Sequence, residues 1–494
     1  MRSVRRGSLF LILVAIVFAA ALLSPGTRDL IVGDETKYAQ VIREMLSTGH
    51  WFLPTLEGTP FTHKPPLHFW LIDLLTVPLG LYSMWAFVLP SLAAFILLLW
   101  LMWRMGGPLA AFVCATSLMV WASAQSARMD VGFTAFITLA ALMIQRVFDR
   151  GESRALVLAG VSLAIATLIK GPMAPVIGMV LFLLEAWRRH SLPRARYAPA
   201  VALMIVIPLL WFVPAMMLGG DAFTHEVIVK QTVGRAFASW VHKAPPWYYL
   251  LHTPGILFPW FFLALAALRG ANRFHLSWIA AVIVPYSLMS SKLDVYMMAM
   301  IPPVALLIAD FVERGDGWAH WLNVATLAVI AILGAAAIVV LPRQPLIDTS
   351  RVKTFFVILA AAAILALLVA LIKRDLLTST LFVGIVPIVA FVYAAAALMP
   401  LANELATPQP LIRALLRQNV PPEQMALYAC PHLWSRDFPR QLERVRYADA
   451  DKIGTPALIA TSRAHAGEIG GTLRMYRKVD ELRMIGKWFD VYRR

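Results

Sequence analysis

Thirteen apolar runs decide what this chain can fold into. They lie at about 8–23, 84–103, 108–126, 130–147, 155–170, 173–187, 198–218, 248–268, 274–290, 296–313, 319–341, 354–373 and 377–398. A helix needs about 20 apolar residues to cross a bilayer's hydrocarbon, and several of these runs reach that length only with flanking residues. The chain is 60% hydrophobic and 15% charged, which leaves too little polar surface for a soluble fold of this size. The expected fold is an all-α polytopic membrane protein of about thirteen spans. The opening MRSVRRGSLFLILVAIVFAAALLSPG looks like a signal peptide, but ahead of so many further runs it reads as a retained first helix.

The net charge of +16 would suggest nucleic acid in a soluble protein. Here the basic residues gather in short loops at Arg104, RVFDRGESR, RRHSLPRAR, RGANR and KRD, which a positive-inside bias explains without nucleic acid. These loops share a side with the N-terminal MRSVRR only if LHFWLIDLLTVPLGL, 67–81, does not cross. That segment is short and carries Asp73 and Pro78, so it is expected to lie along the outer surface. Segments 25–83 and 219–247, the SSKLD turn and everything after about 399 then face outward. The domain layout that follows is a membrane domain over 1–398 and a small outer domain over 399–494. The tail is polar, and strand-like runs such as MALYAC and PALIAT between helical stretches mark it as mixed α/β. Cys114 and Cys430 sit in unlike settings, with no Cys-x-x-Cys pattern, so redox and zinc-finger chemistry drop out.

The outward segments carry the chemistry. In GDETKYAQ, 33–40, Asp34 and Glu35 open a stretch in which Tyr38, Val41, Ile42, Met45 and Leu46 recur at helical spacing, as in a helix lying on the membrane surface. Asp34 is either an N-cap or a carboxylate facing a reaction cavity. In FTHKPPLHFW, 61–70, Lys64 follows His63 and precedes two prolines. It either snorkels to headgroups or stands in fixed geometry beside a phosphate. SARMD places Arg128 and Asp130 at the outer end of one span, and LIKGP places Lys170 at the end of another. The loop 219–247 adds Arg235, His242 and Lys243, and SSKLDVY adds Lys292 and Tyr296. Ionisable groups at membrane depth are functional candidates by default, and several cations around one or two carboxylates suit a phosphate-bearing ligand. The spacing of His63, His225, His242 and His252 is not a ligand motif, so a divalent metal at His63 and His242 stays open but unneeded. No other cofactor is required. Outside the cytoplasmic membrane no nucleotide pool exists, so sugar transfer there must draw on a lipid phosphate.

GDETKYAQVIREML and WFLPTLEGTPFTHKPPLHFWL resemble the first external loop of the bacterial aminoarabinose (4-amino-4-deoxy-L-arabinose) lipid A transferases. Those belong with the dolichyl-phosphate-mannose protein mannosyltransferases, the GT-C type membrane glycosyltransferases. The similarity continues through SARMD, LIKGPMAP, HKAPPWYYL…FPW and SSKLDVYMMAMIPP, over roughly 25–305. It implies a GT-C fold in the bacterial inner membrane with its site facing the periplasm. It also implies inverting transfer of a sugar from undecaprenyl phosphate to lipid A or another periplasmic acceptor, by a monomer. By the same resemblance Asp34, with Glu35 beside it, supplies the catalytic carboxylate. Lys64 contacts the carrier phosphate, and Tyr296 with Arg235 or Lys243, near Lys292, completes phosphate binding. Tyr38, His63, Arg128, Asp130, Lys170 and His242 are the remaining candidates for the cavity.

The chain departs from the pattern at two points. His63 stands where relatives often carry an acid, and QTVGRAF lacks an acidic-His pair before its arginine. Another polyprenyl-linked sugar or another acceptor (protein, lipid or glycan) therefore stays open. A flippase for a lipid-linked saccharide would share the spans and the cations, but the missing internal repeat and the large outer loops argue against it.

Overall fold

The computed structural model describes residues 2–234, 243–341 and 349–494. In chain order the helices begin with α1 (Arg2–Thr27), α2 (Asp34–Thr48), α3 (Leu67–Leu79), α4 (Met84–Ala115), α5 (Leu118–Ala124) and α6 (Asp130–Arg150). Next come α7 (Ser153–Lys170), α8 (Met173–Arg189), α9 (Tyr197–His225), α10 (Tyr248–Ile256), α11 (Phe261–Ala267), α12 (Arg273–Leu288) and α13 (Ile301–Arg314). Then come α14 (His320–Val340), α15 (Thr349–Lys373), α16 (Leu376–Tyr393), α17 (Met399–Leu405) and α18 (Gln409–Leu416), and a single helical turn, Gly470–Leu473, lies in the tail. By contact the chain forms two units. One comprises Met1–Leu23, Thr62–His68 and Pro90–Ala395, the other Ser24–Phe61, Phe69–Leu89 and Ala396–Arg494.

The first unit is a multi-pass helical membrane body. Among the described residues, eight helices of the chain are long and apolar enough to span, or nine if the bent pair α10 and α11 counts as one. The thirteen expected runs map onto these helices and onto shorter ones. Runs 84–103 and 108–126 share α4, which kinks at Gly106 and Gly107 and is followed by α5. Run 248–268 is broken by a 110° bend between α10 and α11, where Pro259 follows Pro254. Helices α7 and α9 approach closely: a Cβ on Gly160 would stand 2.3 Å from the Ala200 carbonyl oxygen, so this position needs glycine. The outer side of α9 is apolar and exposed, with Leu210, Met217 and Leu218 among its residues, as a lipid-facing helix requires.

Helix α3 has 13 residues and so is about 20 Å long, too short for ~30 Å of hydrocarbon. Its Leu71, Leu74 and Val77 form an exposed apolar stripe, while Phe69, Ile72 and Asp73 are buried, in keeping with a helix lying in the interface. Helix α2 differs from expectation in one respect. Tyr38, Val41, Ile42 and Met45 are buried inside protein rather than turned to lipid, because the Tyr38 ring packs edge-on against Phe69 at 5.1 Å.

The second unit holds the five-stranded mixed sheet of the tail. Its strands are β3 (Met425–Tyr428), β4 (Arg446–Tyr447), β5 (Leu458–Ser462), β6 (Arg477–Met484) and β7 (Lys487–Arg493), in spatial order β4-β3-β5-β7-β6. A two-residue hairpin, β1 (Thr55–Leu56) and β2 (Thr59–Pro60), precedes it in the first loop. Strand β3 is parallel to β4 and β5, and β7 is antiparallel to β5 and β6. Side chains alternate across the sheet. Met425, Leu427, Leu458, Ala460, Phe489 and Val491 join Leu411 and Leu415 of α18 in one core, while Ala426 and Ile459 meet Ile453 and Ile469 on the other face. In the first loop, Glu44 fastens the β1–β2 hairpin to α2. Its carboxylate accepts the Glu57 N–H (2.7 Å), the Gly58 N–H (3.1 Å), the Thr55 hydroxyl (2.7 Å) and the Gln40 amide (2.9 Å). Burial alone would raise this carboxyl, but the bonds it accepts outweigh burial and hold it below the usual range.

Candidate active site

The membrane unit gathers four of the singled-out motifs at one place. Asp130 is the first residue of α6 and Lys170 the last of α7, so a helical hairpin brings the start of one helix to the end of the other. Lys170 Nζ lies 2.6 Å from Asp130 Oδ1, and Arg128 Nε donates to Oδ2 at 3.0 Å. A cation at a helix C-terminus and a carboxylate at an N-terminus are each favoured by the helix dipole. Gly171, at φ +112, lets the chain leave α7 directly after the lysine. The Lys170 ammonium also stands over two rings, Phe133 at 5.2 Å and Tyr296 at 5.0 Å. Tyr296 is stacked on Tyr286 at 5.1 Å. The charge of Lys64 also bears on Asp130. Three cations, Lys64, Arg128 and Lys170, thus surround one carboxylate that is 3% exposed. Such a gathering of cations beside a tyrosine suits an anionic group.

Two nearby loop motifs are arranged differently. Lys292 is buried, its Nζ donates to the Met289 carbonyl, and burial lowers its ammonium from the ordinary value. Lys243 pairs in a single bridge with Ser291, which ties the loop 219–247 to the SSKLD turn. His252 Nδ1 approaches Asp294 Oδ1 at 2.8 Å while its ring stacks on Tyr248 at 3.8 Å. The charge of His63 bears on Glu226. Arg235 and His242 lie outside the described residues. Among the described residues, no group of three or more His, Cys, Asp or Glu side chains is placed to hold a metal ion.

The second unit carries the two carboxylates of the first loop, in unlike roles. Gly33, at φ +123, occupies the N-cap of α2, and Asp34 is the first helical residue rather than the cap. Asp34 is partly exposed, whereas Glu35 is buried. Glu35 forms a two-pronged pair with Arg28, at 2.7 Å (Nη1 to Oε2) and 2.9 Å (Nη2 to Oε1), and its Oε2 also accepts the Ile31 N–H at 2.8 Å. A carboxylate so engaged holds the turn into α2. Tyr38 belongs to the buried face of α2. Sequence reasoning missed Arg28. It stands seven residues from Glu35 across a non-helical bridge, where no periodicity rule pairs them.

The chain is similar to several known proteins. Residues 63–212 match the family described as dolichyl-phosphate-mannose-protein mannosyltransferase. The chain is 28% identical over 341 residues to an undecaprenyl phosphate-alpha-4-amino-4-deoxy-L-arabinose arabinosyl transferase of Edwardsiella ictaluri. That match covers 62% of this chain and 60% of the relative, so the chain spans about three fifths of the curated relative's length. The fold is similar to that of ArnT from Cupriavidus metallidurans bound to undecaprenyl phosphate, with TM-score 0.76, 19% identity and 98% of each chain covered. It is also similar to the arabinosyltransferase EmbB from Mycobacterium smegmatis, with TM-score 0.51, 14% identity, and 82% of this chain and 42% of that one covered. The resemblance read from the external-loop motifs is thereby borne out, as is the helical membrane fold with a small strand-containing C-terminal domain.

Proposed function

We propose that this GT-C-like chain is an inverting glycosyltransferase of the bacterial inner membrane, working at the periplasmic face. It moves 4-amino-4-deoxy-L-arabinose from undecaprenyl phosphate to lipid A. The observation that carries this reading is the gathering of Lys64, Arg128 and Lys170 at Asp130, beside Tyr296. A lipid phosphate leaving the anomeric carbon needs such cations, placed where its charge develops. In the step itself, an acceptor oxygen forms a bond to the anomeric carbon from the face opposite the phosphate. The carbon–oxygen bond to the phosphate breaks, and undecaprenyl phosphate departs with the electron pair. Lys64, Tyr296 and Lys243 or Arg235 take up its charge. Asp34 accepts the proton if the acceptor is a hydroxyl, and orients the acceptor if it is already a phosphate. Neither route requires a metal.

A second reading keeps the chemistry and changes the sugar or the acceptor. It is favoured by His63, which stands beside the lysine where the resemblance implies an acid. Purified protein, undecaprenyl-phosphate-linked aminoarabinose and lipid A, followed by mass spectrometry of both lipids, tests the first reading. Sugar on lipid A together with released undecaprenyl phosphate supports it. An inert mixture that becomes active with a different polyprenyl-linked sugar replaces it with the second.

A further inference from the structure

The C-terminal domain has a core of its own, yet it also grips the short bridge between α1 and α2. Asp29, in that bridge, is fully buried. Its Oδ1 accepts from Arg436 Nε at 3.0 Å and its Oδ2 from the Gln409 amide at 2.8 Å. Arg436 then spends the rest of its guanidinium on bridge carbonyls. Nη1 donates to Gly26 (2.7 Å), and Nη2 donates to Arg28 and, at 3.5 Å, to Pro25. Asn403 reads both sides of the same bridge, accepting the Asp29 N–H at 2.8 Å and donating to the Thr27 carbonyl at 3.2 Å. The Val32 N–H donates to the Ala406 carbonyl at 2.8 Å. Residues more than 370 positions away in sequence therefore fix the backbone from Pro25 to Val32. The Arg28–Glu35 pair carries that constraint to the residue next to Asp34.

This grip exceeds what packing needs. The sheet already buries Leu411, Leu427, Leu458, Phe489 and Val491 without it. Setting a partly buried arginine on a buried aspartate to hold three backbone carbonyls is warranted where a neighbouring side chain must stand in one place. A shift of about 1 Å in a reacting group can cost roughly 100-fold in rate.

We propose that Arg436 and Asp29 are positioning residues, through which the C-terminal domain sets the placement of Asp34. The inference rests on Asp34 being the reacting carboxylate. It assigns the domain a part in turnover rather than in donor binding.

The test is a double-mutant cycle on the full chain in detergent. Arg436→Ala, Arg436→Lys, Asp29→Asn and Asp34→Asn are made singly, and Arg436→Ala and Asp29→Asn are also combined with Asp34→Asn. Arg436→Ala is expected to lower kcat about 10- to 100-fold, with KM for the lipid-linked sugar within about twofold of wild type. Arg436→Lys, which keeps the charge without the fork, falls between. In the Asp34→Asn background, Arg436→Ala should cost less than about twofold more, since no carboxylate is left to position. If Arg436→Ala does not accumulate in membranes, the isosteric Asp29→Asn takes its place in the cycle, with a smaller fall expected and the same lack of further loss on Asp34→Asn. Equal fold losses in both backgrounds, or a loss confined to KM, overturn the positioning role and leave the transferase reading standing. Wild-type turnover by Asp34→Asn overturns the reading beneath it.

Discussion

Replacing Glu35 with alanine should unfold the second unit early rather than merely slow a reaction. The side chain is 4% exposed, its partner Arg28 is 2% exposed, and they meet through two short hydrogen bonds. Removing one partner of a buried, hydrogen-bonded pair costs about 3–5 kcal/mol, because the other charge is left without compensation. The Ile31 N–H also loses its acceptor, at about 1–3 kcal/mol. The two losses share one carboxylate and do not simply add, so about 4 kcal/mol is the working figure. For a cooperative unit of this size each kcal/mol shifts the midpoint by roughly 2–4 °C, and the expected drop is on the order of 10 °C. Glu35→Gln keeps an acceptor for Ile31 and for one guanidinium N–H, and should lose about half as much. The double substitution Arg28→Met with Glu35→Met removes both charges and should recover most of the loss, leaving about 1–3 kcal/mol for the Ile31 N–H. The assay is thermal unfolding in mild detergent followed by tryptophan fluorescence, with the fully buried Trp434 of the same unit as a reporter. A midpoint for Glu35→Ala within about 2 °C of wild type would refute the assignment, and so would a double variant no more stable than the single one.

Three further outcomes follow from the same geometry. Lys64→Met should weaken undecaprenyl phosphate binding about 10- to 100-fold, as expected for one charged hydrogen bond, and titration of the purified protein with undecaprenyl phosphate checks it. Gly160→Val should reduce the yield of monodisperse protein on size-exclusion chromatography, since its side chain would meet the Ala200 carbonyl, and overpacking of this kind costs about 1–3 kcal/mol or more. His432 gives a pH signature. Burial holds its pKa at about 4, below the ordinary 6.5, with the cations Lys37 and Arg43 adding to the effect and Glu44 opposing it. Glu57, at 3.5 Å, does not cancel this, because burial raises its own carboxyl. The unfolded chain therefore binds the proton first. Stability is complete above about pH 6.5 and declines toward pH 4, by up to about 3 kcal/mol, and His432→Asn should flatten that slope in unfolding midpoints taken across the range.

Much of this architecture was legible because its signals are local. MALYAC contains β3 and PALIAT all of β5 but its last residue, their apolar residues alternating into two cores. The short run at 67–81, which the loop charges argued should not cross, forms α3, whose 13 residues are too few to span. Topology alone put Asp130 and Lys170 at the same membrane level. That they touch follows from their being the start and end of consecutive antiparallel helices, whereas the approach of Tyr296 to Lys170 from 126 positions away has no local signal. The same limit hid the unlike roles of Asp34 and Glu35. The pairing of Glu35 depends on Arg28 in an irregular bridge, and that bridge is fixed by Asn403, Gln409 and Arg436 at the far end of the chain. The apolar spacing of α2 suggested a helix lying on the membrane surface, but protein, Phe69 among it, buries Tyr38, Val41, Ile42 and Met45 and leaves Leu46 exposed, and hydropathy does not say which cover a face meets.

The most direct test of the central claim is lipid A mass spectrometry in a polymyxin-sensitive Gram-negative host that makes lipid-linked aminoarabinose but lacks its own transferase. The host expresses the wild-type chain or Asp34→Asn at equal membrane levels. The account predicts an aminoarabinose mass increment on lipid A with the wild type and its loss with Asp34→Asn. No increment with the wild type would contradict the proposed donor and acceptor, and an increment that persists in Asp34→Asn would contradict the role given to that carboxylate.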